Sequence, residues 1–149
     1  MKIEFSTLVE APIENVYDFH MDSHNLDEIL PPWLDITPVS VPMEMKTGAE
    51  ISYKVKRYGI SMPFVIRILR LSRPTLFSAE VIHSPLHNFS HAHYFKAIDE
   101  NTTRITDVIY FPLPFRPFSL IFWPFIKRDM KRIFEYRHRI AKELLKNRV

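Results

Sequence analysis

Residues 88–111 read NFSHAHYFKAIDENTTRITDVIYF, and this stretch decides the fold. Asn88 to Ile98 and Thr103 to Phe111 are rich in aromatic and β-branched residues, and Asp99-Glu100-Asn101 between them supplies turn chemistry. The spacing predicts a β-hairpin. Side chains alternate along a strand, so Phe89, His91, His93 and Phe95 share one face. Ser90, Ala92, Tyr94 and Lys96 take the other, and the Phe-bearing face is the candidate interior. On the returning strand Ile105, Asp107, Ile109 and Phe111 share a face. A turn near Asn101 brings Asp107 close to opposite His93, where cross-strand Cβ atoms stand about 4.5–5.5 Å apart. An Asp–His hydrogen bond on the inner face is the expectation.

Outward from the hairpin the chain keeps the same character. Leu76 to His83 is a further strand, followed by a turn at Ser84-Pro85-Leu86-His87. Before it, Ala49 to Arg57 and Pro63 to Leu71 are strands joined at Gly59, and Arg73-Pro74 punctuates the second. Five strands with short connections form an antiparallel meander. Trp33 to Val41 is at best a Pro-interrupted edge strand. At the N-terminus, Ile3, Phe5 and Val9 alternate with polar residues over Lys2 to Val9, the pattern of a half-buried strand. Pro12 opens a short helix with Val16, Tyr17 and Phe19 on its apolar side. Asp22-Ser23 caps a second short helix, and Pro31-Pro32 stops it.

Beyond Pro117 the period becomes helical. Ile126, Met130, Ile133, Arg137, Ile140, Ala141 and Leu144 recur at three- and four-residue steps. Pro124 argues against one unbroken helix from Phe118; the expected start is near Pro124, with Phe118 to Trp123 as a lead-in turn or short helix. The element order is that of an α+β domain spanning residues 1–149. Its curved antiparallel sheet offers a concave face on which the long helix buries its stripe.

Composition narrows the function classes. The 149-residue chain is long enough to bury a core, and its 46% hydrophobic content argues against disorder. It has 12 Phe and no Cys. Disulfides, thiolate nucleophiles and Cys-ligated zinc are therefore excluded, which suits a cytoplasmic location. The segment MKIEFSTLVEAP lacks the unbroken apolar run expected of a signal peptide, and no apolar run of spanning length is present; the candidate 111–126 is broken by Pro112, Pro114, Pro117 and Pro124. Basic residues crowd the last quarter, from Lys127 to Arg148, without a recognisable nucleic-acid motif. A solvated helix face is the plainer account, and no nucleic-acid partner is expected.

The inward polar group has four readings. It is a self-satisfied buried network, a polar anchor for a ligand, a general acid/base pair with Asp107 setting the tautomer of His93, or a metal site of His91, His93 and Asp107 with His83 or His87 nearby. Arg137 interrupts the apolar stripe and needs an acidic or carbonyl partner if buried, with Asp107 or a ligand carboxylate the candidates; otherwise it snorkels to the surface. The aromatic run Tyr110, Phe111, Phe115, Phe118, Phe122, Trp123, Phe125 is core, pocket gate or membrane-surface contact.

Several of these segments resemble one family. FSTLVEAPIENVY at 5–17, Asn25-Leu26 with Pro31-Pro32-Trp33-Leu34, and Phe89 to Phe95 are similar to the START/Bet v 1-like (SRPBCC) superfamily in its bacterial polyketide cyclase/dehydrase-like branch. Asp107 to Tyr110, Leu113-Pro114-Phe115 and Ile133 to Arg137 extend the likeness over nearly the whole chain. The chain departs from that branch in Ser84-Pro85, in Phe89 and in Arg116-Pro117. The resemblance implies a helix-grip fold, a seven-stranded sheet wrapped around the C-terminal helix with a hydrophobic cavity between. It also implies a small hydrophobic ligand: lipid, polyketide-like or aromatic. The residues expected to meet that ligand are Phe64, Phe89, His91, His93, Phe95, Asp107, Ile109, Met130 and Arg137. His91, His93 and Asp107 are candidates for catalysis of cyclase or dehydratase type, and neither metal nor cofactor is expected. A membrane-surface or protein-interaction module is the third class.

Overall fold

A computed structural model describes residues 1–84, 88–112 and 117–147, apart from the side chains of Ser23, Phe118 and Ser119. Strand β1 (Lys2–Val9) leads into helices α1 (Ile13–Met21) and α2 (Ser23–Ile29), then a 3-10 turn at Pro32–Leu34. Strands follow in sequence: β2 (Ile36–Ser40), β3 (Glu50–Arg57), β4 (Ile60–Ser72), β5 (Leu76–His83), β6 (Ser90–Asp99) and β7 (Thr102–Tyr110). Helix α3 (Phe118–Asn147) closes the chain. The expected turn at 84–87 lies, beyond Ser84, outside the described residues, as does His87.

The seven strands form one antiparallel sheet in the order β1-β7-β6-β5-β4-β3-β2. The expected edge strand around Pro38 is β2, with a bulge between Pro38 and Ser40. Pro has no N–H to give a ladder, so an outer position suits it. The β3–β4 hairpin turns on Tyr58 (φ 52°) and Gly59 (φ 76°). Two successive positive φ angles make the primed two-residue turn that matches strand twist, and Gly59 meets the requirement without a Cβ penalty. At the β6–β7 hairpin the Asp99 carboxylate accepts from the Asn101 backbone N–H at 2.8 Å, fixing the turn.

Asp22 caps α2, accepting from the His24 backbone N–H at 2.9 Å. Thr103, fully buried, donates its hydroxyl to the Ala11 carbonyl at 2.8 Å and ties the β1–α1 corner to β7. Helix α3 packs its inward side on two apolar clusters. Ala141 and Leu145 join Val9, Tyr17, Ile68, Phe77, Phe95 and Ile105. Ile133 and Phe134 join Ile3, Leu34, Ile109 and Phe111. The inward side is wider than the stripe read from sequence, since Phe134, His138 and Leu145 form an adjoining inward row four and seven residues apart.

The expected start of the long helix near Pro124 is not what forms. Helix α3 runs from Phe118, with Pro124 inside it. Proline deprives the Leu120 carbonyl of its amide donor. Leu120 is exposed in the first turn of the helix, where water can take that donor's place.

Candidate functional site

The hairpin register sets the polar group. Across β1, β7, β6 and β5, Phe5 pairs with Asp107, Asp107 with His93, and His93 with Phe77. A carboxylate and an imidazole thus sit in a row between two phenyl rings. The His93 ring stacks on Phe77 with centroids 5.2 Å apart. From α3, Phe134 stacks on Phe5 at 5.1 Å and meets His91 edge-on at 5.0 Å. These rings exclude water from Asp107, which is 2% exposed.

Asp107 is satisfied by histidines. His91 Nε2 donates to Oδ1 at 2.7 Å, and His138 Nε2, from α3, donates to Oδ2. His93 Nδ1 lies 2.6 Å from Oδ1, but off the line of a hydrogen bond. That nitrogen is buried with no hydrogen-bond partner among the described residues. The Asp–His bond expected from the sequence therefore forms with His91 and His138 rather than His93. The reason is geometric: directly opposed side chains stand parallel, whereas a neighbour one step along the face, or one descending from the helix, approaches end-on.

His138 escaped the sequence reading, although its position four residues after Phe134 placed it on the inward row. His20 is a second omission. It is buried in α1, its Nδ1 pairs with the Val16 carbonyl at 2.8 Å, and its ring lies 5.5 Å from that of His93.

Burial governs the electrostatics. Desolvation pushes His20 down to about 3, aided by the charge of His93. Desolvation likewise pushes His93 down to about 4, with His91 adding to it and Asp107 opposing. His91 is lowered by burial against the pull of its Asp107 hydrogen bond. For Asp107, burial acts upward, but the electrostatic pull of His93 beside it and the hydrogen bonds from His138 and His91 hold it well below the usual carboxylate range. At neutral pH the cluster is one carboxylate amid neutral imidazoles at His20, His91 and His93. A carboxylate only accepts, so the Nε2 atoms of His91 and His138 carry the hydrogens facing it.

A cavity of about 260 Å³ opens between the sheet and α3. Phe64, Phe89, His91, His93, Ile109, Met130 and Arg137 all line it, together with Tyr53, Phe77 and Val81. Phe95 and Asp107 do not. Phe95 is packed behind the wall against Tyr17 and His20, and Asp107 is screened by its histidines. Arg137 is half-buried on the cavity wall with its guanidinium over the Phe134 ring at 5.1 Å, so it does not snorkel away. Arg57 also borders the cavity and forms a two-pronged ion pair with Asp129 of α3 at 2.5 and 2.6 Å.

His91, His93 and Asp107 bring ligand atoms within 4.8 Å of one another, the grouping a metal would require. Their contacts of 2.6 and 2.7 Å to one oxygen have the length of hydrogen bonds. Two ligands of a tetrahedral zinc stand ~3.3 Å apart, given bonds near 2.0 Å. His91 Nε2 is directed at the carboxylate rather than at a shared centre, and His93 Nδ1 lies off that line. His83, at the exposed end of β5, is not in the group.

The aromatic run divides. Phe111 is buried and meets Trp123 at 6.3 Å, whereas Ile121, Phe122 and Phe125 are 66%, 62% and 70% exposed. Phe115 and the side chain of Phe118 lie outside the described residues. The basic face of α3 is solvated: Lys131 reaches Glu135 at 3.8 Å and Lys146 reaches Glu10 at 3.9 Å, all exposed.

A sheet of this order gripping a C-terminal helix around an apolar cavity is a specific architecture, and the sequence profile for polyketide cyclase / dehydrase and lipid transport matches residues 9–135. The chain belongs to that family. It has the helix-grip fold of the START/Bet v 1-like superfamily. Protein CV1439 from Chromobacterium violaceum superposes with a TM-score of 0.75 at 13% identity, covering 97% of this chain and 96% of that one. A Thalictrum norcoclaurine synthase point mutant, in complex with a transition-state analogue, gives 0.76 at 11% identity, with 99% and 95% covered. Ara h 8.0201 gives 0.69 at 13%, with 99% and 98% covered. These identities establish the fold alone. Among functionally curated proteins none matches. Among the described residues, no helix is long and apolar enough to cross a membrane.

Proposed function

We propose that this member of the family binds a small, largely hydrophobic ligand in the cavity between sheet and α3. The observation that carries the reading is the cavity itself, about 260 Å³, walled mostly by aromatic and aliphatic side chains, with His91, His93, Arg137, Tyr53, Arg57 and Glu80 as its polar groups. Apolar walls with a small number of placed polar groups are the make-up of a ligand site. Thermal denaturation with a panel of lipids and aromatic acids tests it. A ligand at about 100 times its Kd adds roughly 2.7 kcal/mol, a rise of about 5–10 °C for a chain of this size. Ala79→Phe, which fills the cavity, removes that rise. A panel without any shift, together with native mass spectra free of bound ligand, defeats the proposal.

Two further readings each have an observation in their favour. The Asp107 carboxylate fixes the Nε2–H tautomer of His91, so Nδ1 of this cavity-lining residue keeps its lone pair and is available as a base. A cyclase or dehydratase acting this way loses turnover in His91→Ala while keeping ligand affinity; equal loss of both returns the histidine to binding. The exposed Ile121, Phe122 and Phe125 beside Lys127 and Arg128 favour a peripheral membrane contact. Absence of co-sedimentation with anionic liposomes at low salt removes that reading.

A further inference from the structure

Three charged side chains outside the histidine cluster border the cavity: Arg57, Glu80 and Arg137. Arg57 is neutralised by Asp129, and Glu80 faces Arg67 at 3.5 Å. Arg137 forms no ion pair with any described residue. Its one close described partner is the face of Phe134. A guanidinium has five N–H donors and no means of shedding its charge, so an apolar wall is a costly place for it without an acceptor.

Asp107 is the carboxylate whose charge acts on Arg137, but both its oxygens are occupied by histidines. It attracts Arg137 through space, as does Tyr53, and burial still outweighs the two and lowers the guanidinium from its ordinary value. The existing surroundings leave this cation undercompensated. Near it, the buried His93 Nδ1 is a second polar atom without a hydrogen bond among the described residues. Both His93 and Arg137 belong to the wall of the same cavity.

We infer that the cavity takes an apolar molecule ending in a carboxylate, with the Arg137 guanidinium as the group that receives it. The inference rests on the ligand-binding reading and adds the chemical class of the ligand. The planar fork of arginine matches the two oxygens of a carboxylate, and charge-assisted bonds of this kind are about twice as strong as neutral ones. The Asp107 charge does not forbid an anion, because its oxygens are turned into the histidine cluster and Asp107 does not line the wall. The apolar remainder of the ligand lies against Phe64, Phe89 and Met130.

The test uses a neutral fluorescent reporter, N-phenyl-1-naphthylamine, which brightens in apolar cavities, and two competitors of one skeleton, decanoate and decan-1-ol. With the wild-type protein at neutral pH, decanoate displaces the reporter at about tenfold lower concentration than decanol, or lower still. Arg137→Leu erases that advantage, read in each protein as the ratio of the decanol to the decanoate displacement midpoint; Arg137→Lys restores part of it. Equal displacement by acid and alcohol, displacement by neither, or an acid preference that survives Arg137→Leu overturns the carboxylate assignment while leaving ligand binding intact. A reporter that never brightens defeats the binding reading and this assignment with it. Retained reporter binding in the variants shows that they are folded.

Discussion

Replacing Asp107 by Ala removes the acceptor at the centre of the histidine cluster. Two hydrogen bonds to an ionised oxygen are lost, from His91 and His138. Bonds to charged groups contribute about 1.5–3 kcal/mol each, and the release of a buried carboxylate offsets part of that sum. The expected net loss is about 3 kcal/mol, or ~6–12 °C in Tm for a chain near 150 residues. Urea unfolding at neutral pH, followed by the fluorescence of Trp33 and Trp123, measures it. Asp107→Asn retains one acceptor oxygen but turns an NH2 toward an imidazole N–H, so a smaller loss of about 2 kcal/mol is expected. The deficit grows on acidification. Asp107 raises the proton affinity of folded His91 and His93, so without it the folded state takes up still fewer protons than the unfolded chain. A loss below about 1 kcal/mol for Asp107→Ala, or a deficit that shrinks between neutral pH and pH 5, refutes the picture of a dry, histidine-capped carboxylate.

Three further outcomes are expected. The wild-type protein loses stability as pH falls: folded His93 and His20 titrate at about 4 and about 3 against an ordinary 6.5, so the unfolded chain binds more protons from pH 6.5 downward. At ~1.4 kcal/mol per unit the loss amounts to several kcal/mol. The depressed Asp107 adds its own loss only below its ordinary value of 3.8; urea midpoints that are flat from neutral pH to pH 4 contradict this. Arg57→Ala and Asp129→Ala, combined in a double-mutant cycle, give a coupling of about 1–2 kcal/mol for the two-pronged pair joining β3 to α3. A coupling near zero assigns the contact to solvent. Pro124→Ala supplies the amide that the Leu120 carbonyl lacks and raises Tm, by about 1–3 kcal/mol of helix stability. An unchanged or lower Tm means that the proline shapes the packing of Trp123 against Phe111.

Much of the fold was legible because the governing interactions are local. Period-two alternation located β1 and β5 at their observed limits and the other strands to within a few residues. Turn chemistry at Asp99-Glu100-Asn101 was enough to set Asp107 opposite His93, since a hairpin's register follows from its loop. The helix start was misread because the penalty for a proline was judged without its solvent exposure. Phe122 and Phe125 were ambiguous in sequence because aromatic residues fill cores and surfaces alike until a partner layer is known.

By itself, then, the sequence determined the antiparallel meander, the hairpin register and the inward-facing His91, His93 and Asp107, because alternation and loop length act over a few residues. The tertiary structure decided which imidazoles reach the carboxylate. His138 and His91 bond to Asp107 while His93 stands beside it unbonded. That choice depends on the rotation of α3 about its axis and its height over the sheet, which long-range packing of Phe134, Ala141 and Leu145 sets. The same packing puts Arg137 on the cavity wall without an acidic partner among the described residues.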